Sequence, residues 1–487
     1  MPIVFNNELY AFVTLENTGD WLQLGQICGE YLTGPDYDKL QKYLADDAKT
    51  AIIEKRYIDK DYRDTFSNFY SKKLASYPAS TYRIHFFTSI VAIADLYSLE
   101  NYSADYIGFT VIRPTQVNSI GRTLFDPSKI RKLQGLVCRT LYKSHLFGTE
   151  LQIYCFPYIS QDTDVTICAH AATWMTFRYY SERYSAYREI YPYEISQLSS
   201  DVSRGRLIPS KGLTALQITE IFSNFGFYPE IYLKDQYRDK FYRLLYYYIE
   251  SGIPVVACLH TKQHAVTLLG HVSDYQQQAT NRNSEDYLTG YVVNDDNYLP
   301  YQLIMKDGLP LQGYCSAFHV DDIDGFIVPL YEKMYLSAEH IEGLVDSLLS
   351  DQPFGVNHRS ALVTKDILVK RIFLTSSKSY KAMRRTSPLP FDLQRSYIEM
   401  PMPKFIWICE LSLAGLYPQK QIIGEIIFDA TANHWDRFSF LAIHYPDFIL
   451  FNDRNKHGNQ PGRFINFKLP ASKVMPYAMY ENNLKEI

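Results

Sequence analysis

Apolar and polar positions alternate in three successive styles along the chain. Over residues 1–148 the styles are mixed. "YRDTFSNFYSKKLASY" carries a helical repeat, "YIGFTVIRP" is an apolar run stopped by Pro114, and "SIGRTLF" resumes an extended pattern. From 149 to 330 helices come first. Residues 168–184 place Ala171, Ala172, Met175 and Tyr179 on one stripe at 3.6-residue spacing. "EISQLSSDV" predicts a second, short helix. "GLTALQITEIFSNFGF" predicts a third, with Thr214 and Gln217 as a capping box and Gly226 at the C-terminal stop. In "KFYRLLYYYIESGIPVVACLH" a helix ends near Ser251, Gly252 turns the chain, and a buried strand runs to Leu259. "HAVTLLGHV" and "GYVVND" are two further apolar strands.

From 331 to 487 the pattern changes again. Ser337 is placed to cap a helix reaching Leu349, and "SKSYKAMRR" predicts another. "KFIWICELSL", "QIIGEIIFDATA", "FSFLAIHY" and "DFILF" then read as antiparallel strands in succession. Glu410, Glu425 and Asp429 lie on or beside them and are expected to face outward. Helices followed by strands argue for α+β rather than a doubly wound sheet. The expected organisation is three packed units: an N-terminal α+β domain (1–148), a central domain of helices followed by an antiparallel sheet (149–330), and a C-terminal α+β domain with antiparallel strands (331–487).

Composition narrows the function. A chain of 487 residues exceeds one core, since domains usually hold about 100–200 residues. A net charge of −4 and no basic run give no footprint for nucleic acid. No apolar run nears the roughly 18 residues that suggest a membrane span, and the first residues lack a signal-peptide pattern. The seven cysteines are scattered with no CxxC, which excludes a zinc ribbon and a disulfide framework. A reduced, cytoplasmic protein is expected. The 42 tyrosines suit half-buried surfaces, so the flanking domains could bind protein partners.

One cysteine has the setting of a nucleophile. Thiolate is the reactive form of Cys, and a helix N-terminus or a nearby imidazolium favours it. Cys168 opens a helix after the polar stretch Asp162, Thr163, Asp164 and Thr166, whereas Cys258 and Cys409 lie mid-strand and read as core. His264 opens a strand, where a side chain at the sheet's rim can reach a neighbouring helix end. Asn294, Asp295 and Asp296 end the next strand, and one of them could orient the imidazole. The amide of Gln161 and the backbone N–H of Cys168 could donate to an oxyanion. His260, His264 and His271 raise a metal as rival chemistry. The strand–turn–strand pattern removes the helical meaning of their spacing, and neither metal nor cofactor is expected. Arg113 and Arg122 sit at strand ends, where an anion could bind or the side chains could be paired.

The order Gln161, Cys168, Ala171, Gly212–Thr214, Gly252–Val255, His264–Val266 and Asp295 resembles papain-like cysteine peptidases of the bacteriocin-processing, double-glycine-leader type. The resemblance covers roughly residues 155–305. It departs from the family at Ile167 and Ala169, which replace a polar residue and a glycine, at the extra His170, and at Gln161, one position further out. The resemblance implies a papain-like central domain and hydrolysis of a polypeptide through an acyl-enzyme on Cys168. His264 would be the base, Asp295 (or Asn294) its orienting partner, and Gln161 an oxyanion donor. Two alternatives stay open: a transglutaminase, deamidase or acyltransferase using the same residues, and a catalytically inactive scaffold that binds protein partners.

Overall fold

The computed structural model describes residues 3–32, 34–115, 117–198, 212–276, 283–308, 313–350, 368–433, 435–436, 439–446, 448–453, 463–468 and 476–487. Among them the chain is mixed α+β, built on three large sheets. A six-stranded antiparallel sheet runs in chain order from Ile3–Asn6 to Ile120–Phe125. A nine-stranded sheet occupies the middle of the molecule, and a second six-stranded sheet runs from Leu368–Ser376 to Arg463–Lys468.

Period-2 alternation explains how the sheets stack. On the first sheet Phe12 and Ile52 face the hairpin of Thr140–Leu146 and Thr149–Cys155, while Ala11, Val13 and Ile53 face the core shared with the central sheet. In Val255–Leu259, Val256 and Cys258 point to that core, and Val255, Ala257 and Leu259 point to the next. The second core holds the helices Phe241–Glu250 and Ala338–Ser350 against Trp407, Cys409 and Ile426 of the third sheet. The opposite face of that sheet packs on the helices Ser377–Thr386 and Phe391–Glu399.

Both faces of the third sheet are therefore covered, so Glu410 and Glu425 do not face outward. Each is fully buried and ion-paired, Glu410 to Arg371 and Glu425 to Arg384, both at 2.6 Å. Asp429 is half-buried and accepts from Thr431 in a turn.

Local rules held where caps were visible. Thr214 is the N-cap of Ala215–Asn224 with Gln217 completing the capping box, and Gly226 and Gly252 take left-handed φ of 83° and 69°. The helix expected over 62–77 is shorter, Lys60–Asn68, and passes into a single 3-10 turn. The second helix of the central unit is Pro192–Leu198; residues 199–202 of its predicted stretch lie outside the described residues, as do Phe438 and Asp447. Phe227–Leu233 was not read as a strand but pairs with Gly325–Tyr331 at the sheet's edge.

Two segments cross the boundaries drawn at 148 and 331. Leu136–Cys138 pairs with the strand His264–Ser273, and Leu484–Glu486 returns from the C-terminus to pair with Leu136–Cys138. No helix among the described residues is long and apolar enough to cross a membrane.

Candidate active site

The strand His264–Ser273 sets the site's geometry. It pairs with Val255–Leu259, where Leu259 faces His264, and with Leu288–Asn294, where Asn294 faces Thr267. Antiparallel register then carries the chain just past Asn294 alongside His264, which brings Asp295 to it. The Thr267 hydroxyl donates to the Ala172 carbonyl at 3.1 Å, fixing the helix Cys168–Arg183 across the strand. Cys168 lies one turn before Ala172 and His264 three residues before Thr267, so the two meet at the rim.

His264 is engaged by a carboxylate and by the thiol. Nε2 lies 3.0 Å from Asp295 Oδ1, and a hydrogen bond with the Cys168 side chain also acts on the imidazole. Phe318 covers the imidazole with ring centroids 5.1 Å apart. Burial pulls the imidazole's pKa down. The hydrogen bonds with Asp295 and Cys168 and the charges of Asp295 and Asp296 outweigh it, and His264 is pushed up to about 10. A protonated imidazole therefore sits beside a half-buried thiol at neutral pH. Cys258, on the neighbouring strand, has a different setting: burial, with smaller contributions from Asp324 and Cys168, pushes its thiol up to about 12.

The loop before Cys168 is held from two sides. The Asp162 carboxylate accepts from the backbone N–H groups of Asp164, Val165 and Thr166 at 3.1, 2.8 and 2.8 Å. Arg113, buried rather than solvated, donates to the carbonyls of Ser160 and Gln161, both at 3.1 Å. Ile167 is the N-cap of this helix, and its side chain makes no capping hydrogen bond. Arg122 is not an anion site of its own. It pairs with Asp59 at 2.8 Å and lies 3.7 Å from Asp61.

Gln161 reaches the site through a residue that sequence reasoning missed. Its Nε2 donates to Asn297 Oδ1 at 2.9 Å, and Asn297 Nδ2 lies 3.3 Å from both His264 Nε2 and Asp295 Oδ1. The only sequence signal for Asn297 was its place at the end of "NDDN". Asn294 is turned elsewhere: its amide donates to the Pro157 carbonyl and its Oδ1 accepts from the Tyr301 N–H. Of the three residues considered for orienting His264, the hydrogen bond belongs to Asp295; Asp296 lies 3.6 Å from Nε2.

No family model, curated protein or solved structure matches the chain. Its chemistry therefore has to be read from this geometry. The rival histidines do not converge. His260 is exposed and bonds Asp324, whereas His271 is buried against Glu250 at 2.7 Å. His170 points into the interior and is nearly fully buried, and burial alone brings it down to about 4. Asp296 is the remaining neighbour. It lies 3.6 Å from His264 Nε2, and neither carboxylate oxygen receives a hydrogen bond from another residue among those described.

Proposed function

We propose that the protein is a papain-like thiol hydrolase that cleaves a polypeptide through an acyl-enzyme on Cys168. The observation that carries this reading is a single imidazole hydrogen-bonded both to Cys168 and to a buried Asp295. That is the arrangement a nucleophile, a base and an orienting group require.

The Cys168 sulfur attacks the scissile carbonyl carbon, forming a C–S bond and moving the π-electrons onto oxygen. The oxyanion is received by the Cys168 N–H and by the Gln161 amide. That amide has two hydrogens, of which Asn297 takes one, leaving the other for the oxyanion. As the C–N bond breaks, the proton on His264 passes to the departing amine. Water then attacks the thioester, His264 takes its proton, and the carboxylic acid leaves as the thiolate is restored. Asp295 holds the imidazole in place, itself held by Ser316 Oγ at 3.3 Å.

The test is incubation with a peptide library and mass-spectrometric reading of new termini, comparing the native chain with Cys168→Ala. Termini that depend on Cys168 are expected. Ammonia release without new termini would move the assignment to a deamidase or transglutaminase. Full biological effect from the Cys168→Ala protein with neither product would leave a scaffold.

A further inference from the structure

His264, Asp295 and Asp296 form a second constellation inside the first. One ligand atom from each side chain lies within 4.8 Å of the other two. His264 Nε2 stands 3.0 Å from Asp295 Oδ1 and 3.6 Å from Asp296 Oδ1. Two ligands each about 2.1 Å from a tetrahedral zinc ion are separated by about 3.4 Å, the same range. The 3.0 Å contact is also an ordinary hydrogen bond; the 3.6 Å contact is too long for one.

Asp296 supplies the second, independent observation. It is 2% exposed, and neither carboxylate oxygen accepts a hydrogen bond from another of the described residues. Buried carboxylates are normally hydrogen-bonded, ion-paired or bound to a metal. Here the nearest positive charge, His264, is already hydrogen-bonded to Asp295, and Lys39 lowers Asp296 only as a smaller cause. With both carboxylates ionised against one imidazolium, the group carries a net charge of minus one. A dication that replaces the Nε2 proton, with the imidazole then neutral, brings the group to zero. The supporting contacts are also in place, since Ser316 Oγ and the Asn297 backbone N–H both donate to Asp295.

We infer that His264 Nε2, Asp295 and Asp296 form a binding site for a divalent transition metal of the zinc class. One imidazole with two carboxylates suits zinc or manganese better than magnesium, which prefers six oxygen ligands. Binding exchanges one proton for one cation: the Nε2 proton leaves to solvent and the nitrogen lone pair goes to the metal. The site uses no thiol, so it stands or falls separately from the acyl-enzyme.

Titration calorimetry of the full chain with Zn²⁺ alone is the test, with the melting temperature followed in parallel. One zinc per chain is expected. Asp296→Asn should weaken it at least about tenfold, and Cys168→Ala should leave it unchanged. Zinc should raise the melting temperature of the native protein but not of the folded Asp296→Asn variant. Asp295→Asn, expected to show the same loss, covers the case in which Asp296→Asn fails to fold. Absence of zinc binding overturns the proposal. So does binding that Cys168→Ala abolishes and Asp296→Asn leaves intact, which would place the ion on the Cys168–His264 pair. Magnesium binding as tightly as zinc overturns the assigned class.

Discussion

The strand His264–Ser273 carries a histidine–carboxylate pair at each end, and the two pairs are built to opposite ends. At the inner end, His271 bonds Glu250 at 2.7 Å. Glu250 also takes Arg371 at 2.6 Å, Asn482 at 3.1 Å and the Tyr246 hydroxyl at 3.1 Å. Arg371 continues to Glu410 at 2.6 Å and to the Tyr480 carbonyl at 3.0 Å. Both oxygens of Glu250 are answered, and the network ties together the central helix, the third sheet and the C-terminal segment. At the outer end, His264 faces two carboxylates and a thiol, and Asp296 is left unanswered. A satisfied network rigidifies a fold. An unsatisfied one, beside a half-buried thiol, has the form of a site.

The comparison breaks most sharply at the nucleophile. Cys168→Ala is expected to abolish acyl-enzyme formation, read by intact mass after substrate addition, while leaving the urea unfolding midpoint unchanged. Arg371→Met should do the reverse. It leaves Glu250 and Glu410 buried without their shared cation, at a cost of about 3–5 kcal/mol in urea unfolding. Gln161→Ala removes one oxyanion donor and should slow acylation by roughly 10²–10³-fold with little change in stability.

The two ends also respond to pH with opposite signs. Burial would raise Glu250, but Arg371 and His271 bring it down to about 2, so its contribution is present above about 4.5 and lost as pH falls through about 2. His264 is raised to about 10, so its contribution is present below about 6.5 and lost as pH rises through about 10. Burial is the main cause that pushes Asp296 up to about 7, and its contribution is lost as pH rises from about 3.8 through about 7. Hydrogen exchange along the strand should therefore accelerate first near His264 in alkali and first near His271 in acid. The smallest expected effect is that Asp296→Asn flattens the stability slope between pH 4 and 7.

Sequence made parts of this legible because the controlling interactions were local. The Thr214–Gln217 box, the left-handed glycines at 226 and 252, and the helix opening at Cys168 depend on residues within four positions of each other. That the 294–296 turn reaches His264 was also legible from two adjacent strands, which left Asn294, Asp295 and Asp296 open; the hydrogen bond goes to Asp295. What stayed hidden was long-range. Arg371 and Arg384 reach Glu410 and Glu425 across 39 and 41 residues, and both carboxylates looked like solvent-facing strand positions. The strand Phe227–Leu233 was masked by Pro229 and by polar alternation, both tolerated because it is an edge. Asn297 looked like a turn former. Its role depends on Gln161, 136 residues earlier, arriving beside it.

The most direct test of the Cys168–His264 pair is the rate of iodoacetamide labelling at each cysteine, read by peptide mass spectrometry near pH 6.5. Cys315 is exposed and serves as the control for access, while Cys258 is buried. Cys168 is expected to label at least about tenfold faster than Cys315 although it is less exposed, and to fall to the Cys315 rate or below in His264→Ala. Labelling of Cys168 no faster than Cys315 in the native chain, or unchanged by His264→Ala, would contradict an activated thiolate at this site.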